Sequence, residues 1–164
     1  MNNAKPIILV RGLPGSGKST FAGKLLAELA DKGFDGKNFE TDNFFYNKNT
    51  GNYEFDSTLL SLAHSWNEAE VYKYCRDNPD EVCIVANTFT TMAEMDPYFN
   101  IAKKLCRTLL VVEIYTKHES IHNVPEKTIS KMAARFKGWG TSLVVNNDTD
   151  ATECIRRIVA FCLA

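Results

Sequence analysis

"GLPGSGKST", residues 12–20, decides the fold. Gly12 through Ser19 spell glycine, four residues, glycine, lysine, then a hydroxyl residue. A polyphosphate needs many hydrogen-bond donors converging on a small volume. A glycine-rich turn lets backbone N–H groups curl around the β-phosphate. The helix that follows aims its own N-terminal N–H groups and dipole at the same anion. A lysine at position 18 then reaches the β- and γ-phosphates, and a serine hydroxyl at position 19 binds magnesium. Gly12, Gly15, Ser16, Gly17, Lys18, Ser19 and Thr20 are the expected nucleotide-binding residues.

Working outward, "PIILVRG" (6–12) is a short apolar run closed by glycine, a buried strand. "KSTFAGKLLAELADKG" (18–33) repeats Phe21, Leu25 and Leu29 every four residues, the mark of an amphipathic helix ended by Gly33. "NFETDNFF" (38–45) is a second expected strand and its exit, and "NKNTGNYEF" (47–55) a turn or hairpin. Residues 57–79 form a long helix with a serine start and a proline stop, and 81–88 a third buried strand. A helix over 92–106 has Pro97 at or near its start or at a kink. Then follow a strand (108–115), a helix (125–138) with Pro125 at its first position and Gly138 at its end, a strand (142–147) and a last helix (150–164). Strand and helix alternate five times. Near-continuous apolar strands between helices predict an α/β fold with a five-stranded parallel sheet covered on both faces. No linker or repeat interrupts residues 1–164, read as a single domain.

Two other motifs compete for the function. "HESIH" (118–122) has the spacing of a zinc hydrolase, which needs both histidines on one face of a real helix. The fourth strand ends just upstream, and Pro125 restricts the chain just downstream. No third ligand is evident, so zinc is not expected, and the segment reads as a loop after the fourth strand. Asp148, Asp150 and Thr152 imitate an aspartyl-phosphate phosphatase. That chemistry needs a sheet built after the motif, and only twelve residues remain. Capping of the last helix by Asp148 or Asp150 is the expectation.

Composition narrows the class. A formal net charge of −1 excludes a basic arm coating long nucleic acid, but not a local cleft gripping one end. The five cysteines include no pair at the two-residue gap of a zinc knuckle or redox motif, so they read as thiols in a reducing compartment. The N-terminal apolar run is too short for a signal peptide, and no stretch approaches a membrane span. A cytoplasmic protein that meets no membrane is expected.

"RGLPGSGKST", "ETDNFF", "YEFDSTLLSLAHSWN", "ANTFTTMAEMDPY" and "HNVPEKTISKMAARF" occur in that order. With these pieces the chain resembles the P-loop polynucleotide 5′-hydroxyl kinases, the group that includes phage end-healing kinases. The resemblance implies a P-loop kinase fold with a short lid after the fourth strand. It implies ATP as donor, Mg2+ as cofactor and a DNA or RNA 5′-hydroxyl end as acceptor. Asp42 is then the general base and, with Ser19, a metal ligand. A carboxylate outside the carboxyl ends of parallel strands lies where ligands of such sheets gather. Asn87 and Thr88 are the expected holders of acceptor or metal-bound water. Arg11 is expected either on an acceptor phosphate or in a salt bridge. His64 and Trp66 either line the acceptor pocket, where an aromatic face stacks on a base, or belong to the core.

Three positions depart from the family. Ala86 stands where an aspartate usually precedes the Asn-Thr pair, which leaves magnesium to Ser19, Asp42 and phosphate oxygens. Phe45 stands where an arginine often meets the acceptor's phosphate. The lid, usually arginine-bearing, offers Lys117 and His122, with Arg135 on the next helix. Two rivals follow: a kinase for a small-molecule hydroxyl, and a nucleotide-binding module without turnover.

Overall fold

β1 (Ile7–Arg11) is the middle strand, and all five of its residues are buried. Its side chains alternate between two layers, as the period of a strand requires. Ile8 and Val10 join a cluster with Phe21, Leu25 and Leu29 of α1 (Lys18–Asp31) and Ile155 and Ile158 of α5 (Asp148–Leu163). Ile7 and Leu9 face the other way, toward Val71 and Cys75 of α2 (Leu60–Asp77) and Met95 and Tyr98 of α3 (Met92–Lys104). The computed structural model describes residues 3–117, 124–136, 138, 140 and 142–164.

β2 (Gly36–Phe39), β3 (Val82–Asn87), β4 (Leu109–Ile114) and β5 (Leu143–Val145) complete a parallel sheet in the order β2-β3-β1-β4-β5. The expected five-stranded parallel sheet with helices on both faces is thus present. Register sets Arg11 level with Asn87 on one side and Glu113 on the other. Three polar residues therefore share one row at the carboxyl end of the sheet, where the order turns back on itself and ligands collect.

The boundaries differ from expectation in ways that bear on the site. The second strand stops at Phe39, and Thr41–Phe45 form a 3-10 turn instead of extending it. Polar side chains at 41–43 favour such a turn, and Asn43 N–H donates to the Glu40 carbonyl at 3.1 Å. Asp42 consequently lies on that turn, beyond the strand end. Asp56, not Ser57, caps the segment leading into α2, accepting from Thr58 N–H at 2.9 Å. Pro97 is the sixth residue of α3, inside the helix. Pro125 is the N-cap of α4 (Glu126–Arg135), one place earlier than expected, and α4 ends before Gly138 because Phe136 turns extended to pack its ring elsewhere. Asn147 caps α5, accepting from Asp150 N–H at 2.8 Å, while the Asp150 carboxylate accepts from Asn146 N–H. The expected aspartate cap is corrected to asparagine.

Arg107 is buried at the opposite end of the sheet. Its guanidinium donates to the carbonyls of Lys5, Cys75, Asn78 and Glu81, tying the start of the fold to the end of α2. None of the five cysteines, all among the described residues, is in a disulfide; Cys106 is exposed and the others are buried. Among the described residues no helix is long and apolar enough to cross a membrane.

Candidate functional site

The loop after β1 is shaped by what its glycines permit. Gly17 takes φ 90° as the N-cap of α1, in the left-handed region that glycine enters without penalty. A Cβ on Gly12 would stand 2.4 Å from Ser16 Oγ and 2.7 Å from the Ile114 carbonyl, so only glycine fits there. Gly12 N–H donates to the Thr88 carbonyl at 3.3 Å, and Thr116 Oγ1 donates to the Ser16 carbonyl at 2.5 Å. The loop is thereby stitched to the ends of β3 and β4. Ser16 Oγ is buried with no hydrogen-bond partner among the described residues, and the first turn of α1 carries no acidic residue. An orphaned buried hydroxyl and an unopposed helix terminus fit a phosphate group.

Lys18 Nζ donates to the Gly12 and Leu13 carbonyls at 2.9 and 3.0 Å. Burial lowers its pKa to about 8, and the nearby charges of Glu40 and Asp42 raise it part of the way back. An anionic ligand prefers the protonated amine, and that proton is lost as pH rises through about 8. Nucleotide affinity is therefore expected to be flat below that pH and about tenfold weaker at pH 9 than at pH 7. Fluorescence titration across the range checks this, and equal dissociation constants at both pH values would remove Lys18 from the site.

Ser19 Oγ donates to Glu40 Oε1 at 2.7 Å, and Asn38 Nδ2 donates to the same oxygen at 2.9 Å. Ser19 and Thr20 are exposed on the open side of the helix. Glu40 was not among the residues the sequence pointed to. Its signal was there: it is the first residue past β2, on the side where ligands gather.

Asn87 Oδ1 accepts from Thr41 N–H at 2.9 Å, and Thr41 Oγ1 lies 3.3 Å from His64 Nδ1. The end of β3 thus fixes the 3-10 turn that carries Asp42. Asn87 Nδ2 is buried without a partner among the described residues. On the other flank, the Tyr53 hydroxyl donates to Asp42 Oδ1 at 3.2 Å. Tyr53 lies on a hairpin closed by an antiparallel bridge to Tyr46. It stacks on Phe55 with ring planes 16° apart and centroids 6.5 Å apart, and its pKa is raised by burial and by Asp42. Tyr46 and Phe55 are exposed. Sequence reasoning missed Tyr53, although "NYEF" alternates in the way that puts Tyr53 and Phe55 on one face.

Other expected site residues lie as follows. Arg11 is 1% exposed and adopts the salt-bridge alternative: Nη1 is 3.2 Å from Glu113 Oε1, while Nε and Nη2 donate to the Phe89 carbonyl at 2.9 and 2.6 Å. The Phe136 ring covers its guanidinium at 4.1 Å. His64 is exposed, which excludes the core alternative. Trp66 is half-buried with its ring 5.8 Å from Phe44. Phe45, expected as a departure from the family resembled, is buried against Tyr53 and Phe55. Lys117 and Arg135 are exposed, and α4 contributes no buried residue. His122 and the histidine motif at 118–122 lie outside the described residues.

Residues 7–139 match the model of a family described as an AAA domain. The chain is 30% identical over 161 residues to NEDD4-binding protein 2 of Homo sapiens, across 93% of this chain and 9% of that protein. It spans less than half the length of the curated relatives it matches. Among solved structures it resembles Chaetomium thermophilum Kti12 in complex with ADP-AlF3, with TM-score 0.69, 15% identity, and coverage of 97% and 100% of the two chains. It also resembles the Mycobacterium tuberculosis APS kinase CysC in complex with AMPPNP and APS, with TM-score 0.63, 12% identity, and coverage of 98% and 99%. The fold is that of the P-loop kinases.

Proposed function

The chain belongs to the AAA domain family, and on that premise we propose that it transfers the γ-phosphate of ATP to the 5′-hydroxyl of a nucleic acid. The observation that carries this reading is the position of Asp42. Its charge reaches Lys18 on the phosphate side, and the Tyr53 hydroxyl binds it on the side of the aromatic hairpin. A carboxylate so held suits a base acting on an acceptor whose nucleobase stacks beside it. The acceptor oxygen bonds to the γ-phosphorus, the bond from that phosphorus to the β,γ-bridging oxygen breaks, and ADP leaves. Asp42 takes the hydroxyl proton, and Lys18 and the loop amides bear the charge that develops on the phosphate oxygens. Magnesium, held by the Ser19 hydroxyl with a neighbouring carboxylate and phosphate oxygens, would supply further charge neutralisation. Lys117 and Arg135 are the lid-side cations available for the same task.

A small hydroxyl acceptor is the rival, favoured by Phe45 standing buried where an arginine would meet a terminal phosphate. Transfer of label from γ-labelled ATP separates the two. Expected is labelling of DNA or RNA bearing a 5′-hydroxyl and none of the same strand bearing a 5′-phosphate. Labelling confined to nucleosides or sugars supplied in competition would decide for the rival.

A further inference from the structure

We infer that Glu40 is the carboxylate that positions magnesium in this chain, doing from the end of β2 what Ala86 cannot do from β3. The inference rests on the reading of the loop as a nucleoside-triphosphate site.

A serine hydroxyl that gives its oxygen to a cation must place its hydrogen on some other acceptor. Ser19 Oγ already donates to Glu40 Oε1 at 2.7 Å. Asn38 Nδ2 donates to that same oxygen at 2.9 Å and fixes the carboxylate from its own strand. With both bonds on Oε1, Oε2 is left to accept from a metal-bound water or to meet the ion. Ala86 is a buried methyl paired with Val10 and offers no donor atom.

Asp42 serves this task poorly, because a carboxylate whose oxygens are engaged by a cation is not open to the acceptor's proton. The geometry divides the work. Glu40 is tied to Ser19 at the loop, and Asp42 is tied to Tyr53 at the hairpin. Among the described residues no group of three or more His, Cys, Asp or Glu side chains could hold a metal alone. On this reading nucleotide oxygens complete the shell around the ion.

Calorimetric titration of the whole chain with AMPPNP, with magnesium and with EDTA, tests this without an acceptor. Glu40→Gln keeps an oxygen for Ser19 and Asn38 and removes only the charge; Glu40 is half-exposed, so the core is untouched. Expected is tighter binding with magnesium in the parent and about a tenfold loss of that enhancement in E40Q. The enhancement is the ratio of affinities with and without magnesium within each variant, and Asp42→Asn keeps it. Enhanced relaxation of water protons by Mn2+ with AMPPNP is expected to fall in parallel in E40Q. An enhancement equal in parent and E40Q, or one lost in D42N instead, overturns the assignment and leaves the kinase reading standing. A parent that binds AMPPNP under neither condition overturns both.

Discussion

Asp42→Asn is expected to lower phosphate transfer to a 5′-hydroxyl oligonucleotide by about 10²–10⁴-fold, the usual contribution of a positioned base. Nucleotide affinity is expected to stay at the parent value. Asparagine retains the shape of aspartate and an oxygen that accepts from the Tyr53 hydroxyl, so the 3-10 turn at 41–45 keeps its place. What disappears is the group that takes the acceptor's proton. The loss should fall on kcat more than on KM, since the base acts on the reacting oxygen and not on the stacked base. Tyr53→Phe supplies the graded control: it removes one hydrogen bond to the carboxylate but keeps the carboxylate itself, and an intermediate loss is expected. Steady-state kinetics with labelled ATP read both variants. Undiminished transfer by D42N would sink the assignment of the base.

Arg11→Met should cost about 3–5 kcal/mol of stability, because it removes the cationic partner of a buried carboxylate, Glu113. The side chains of this pair are 1% and 2% exposed. Methionine fills the volume and offers the carboxylate no cation, while the Tyr115 hydroxyl still donates to it at 2.5 Å. The melting temperature should drop on the order of 10 °C. Replacing both partners, as Arg11→Met with Glu113→Leu, should recover most of the loss, since an apolar pair of similar volume often matches a buried ion pair. Urea unfolding of the two variants decides, and an R11M protein as stable as the parent would show that the pair is not structural. A local effect accompanies the global one. Phe89 sits at φ 48°, a strained conformation for a bulky residue, and Arg11 grips its carbonyl with two N–H donors. Without that grip the turn after Asn87 and Thr88 relaxes.

The sheet was legible because its signal is local. Five apolar runs, each followed by a helical pattern, admit few arrangements, and the glycine loop marks which strand comes first. The boundaries most in error lie where a side chain from a distant strand intervenes. Asn87 bonds to Thr41 across 46 positions and stabilises a turn where the pattern of residues 38–45 reads as strand. The same limit explains Arg11. A residue next to a phosphate loop suggests a ligand contact, and only the pairing of β1 with β4 brings Glu113 beside it. Glu40 and Tyr53 escaped notice for a different reason. Neither belongs to a spaced motif, and each gains its meaning from one hydrogen bond to a residue of the loop or the turn.

The hairpin between Phe45 and Glu54 has a practical consequence. Its two ends meet where Glu54 N–H donates to the Phe45 carbonyl at 2.8 Å, and its tip closes on itself through Asn47, Gly51 and Asn52. It is a cassette with adjoining seams. Grafting a counterpart from another chain of this fold would swap the surface presented beside Asp42 while sparing the phosphate loop, which makes this segment the natural target for retuning which hydroxyl is modified.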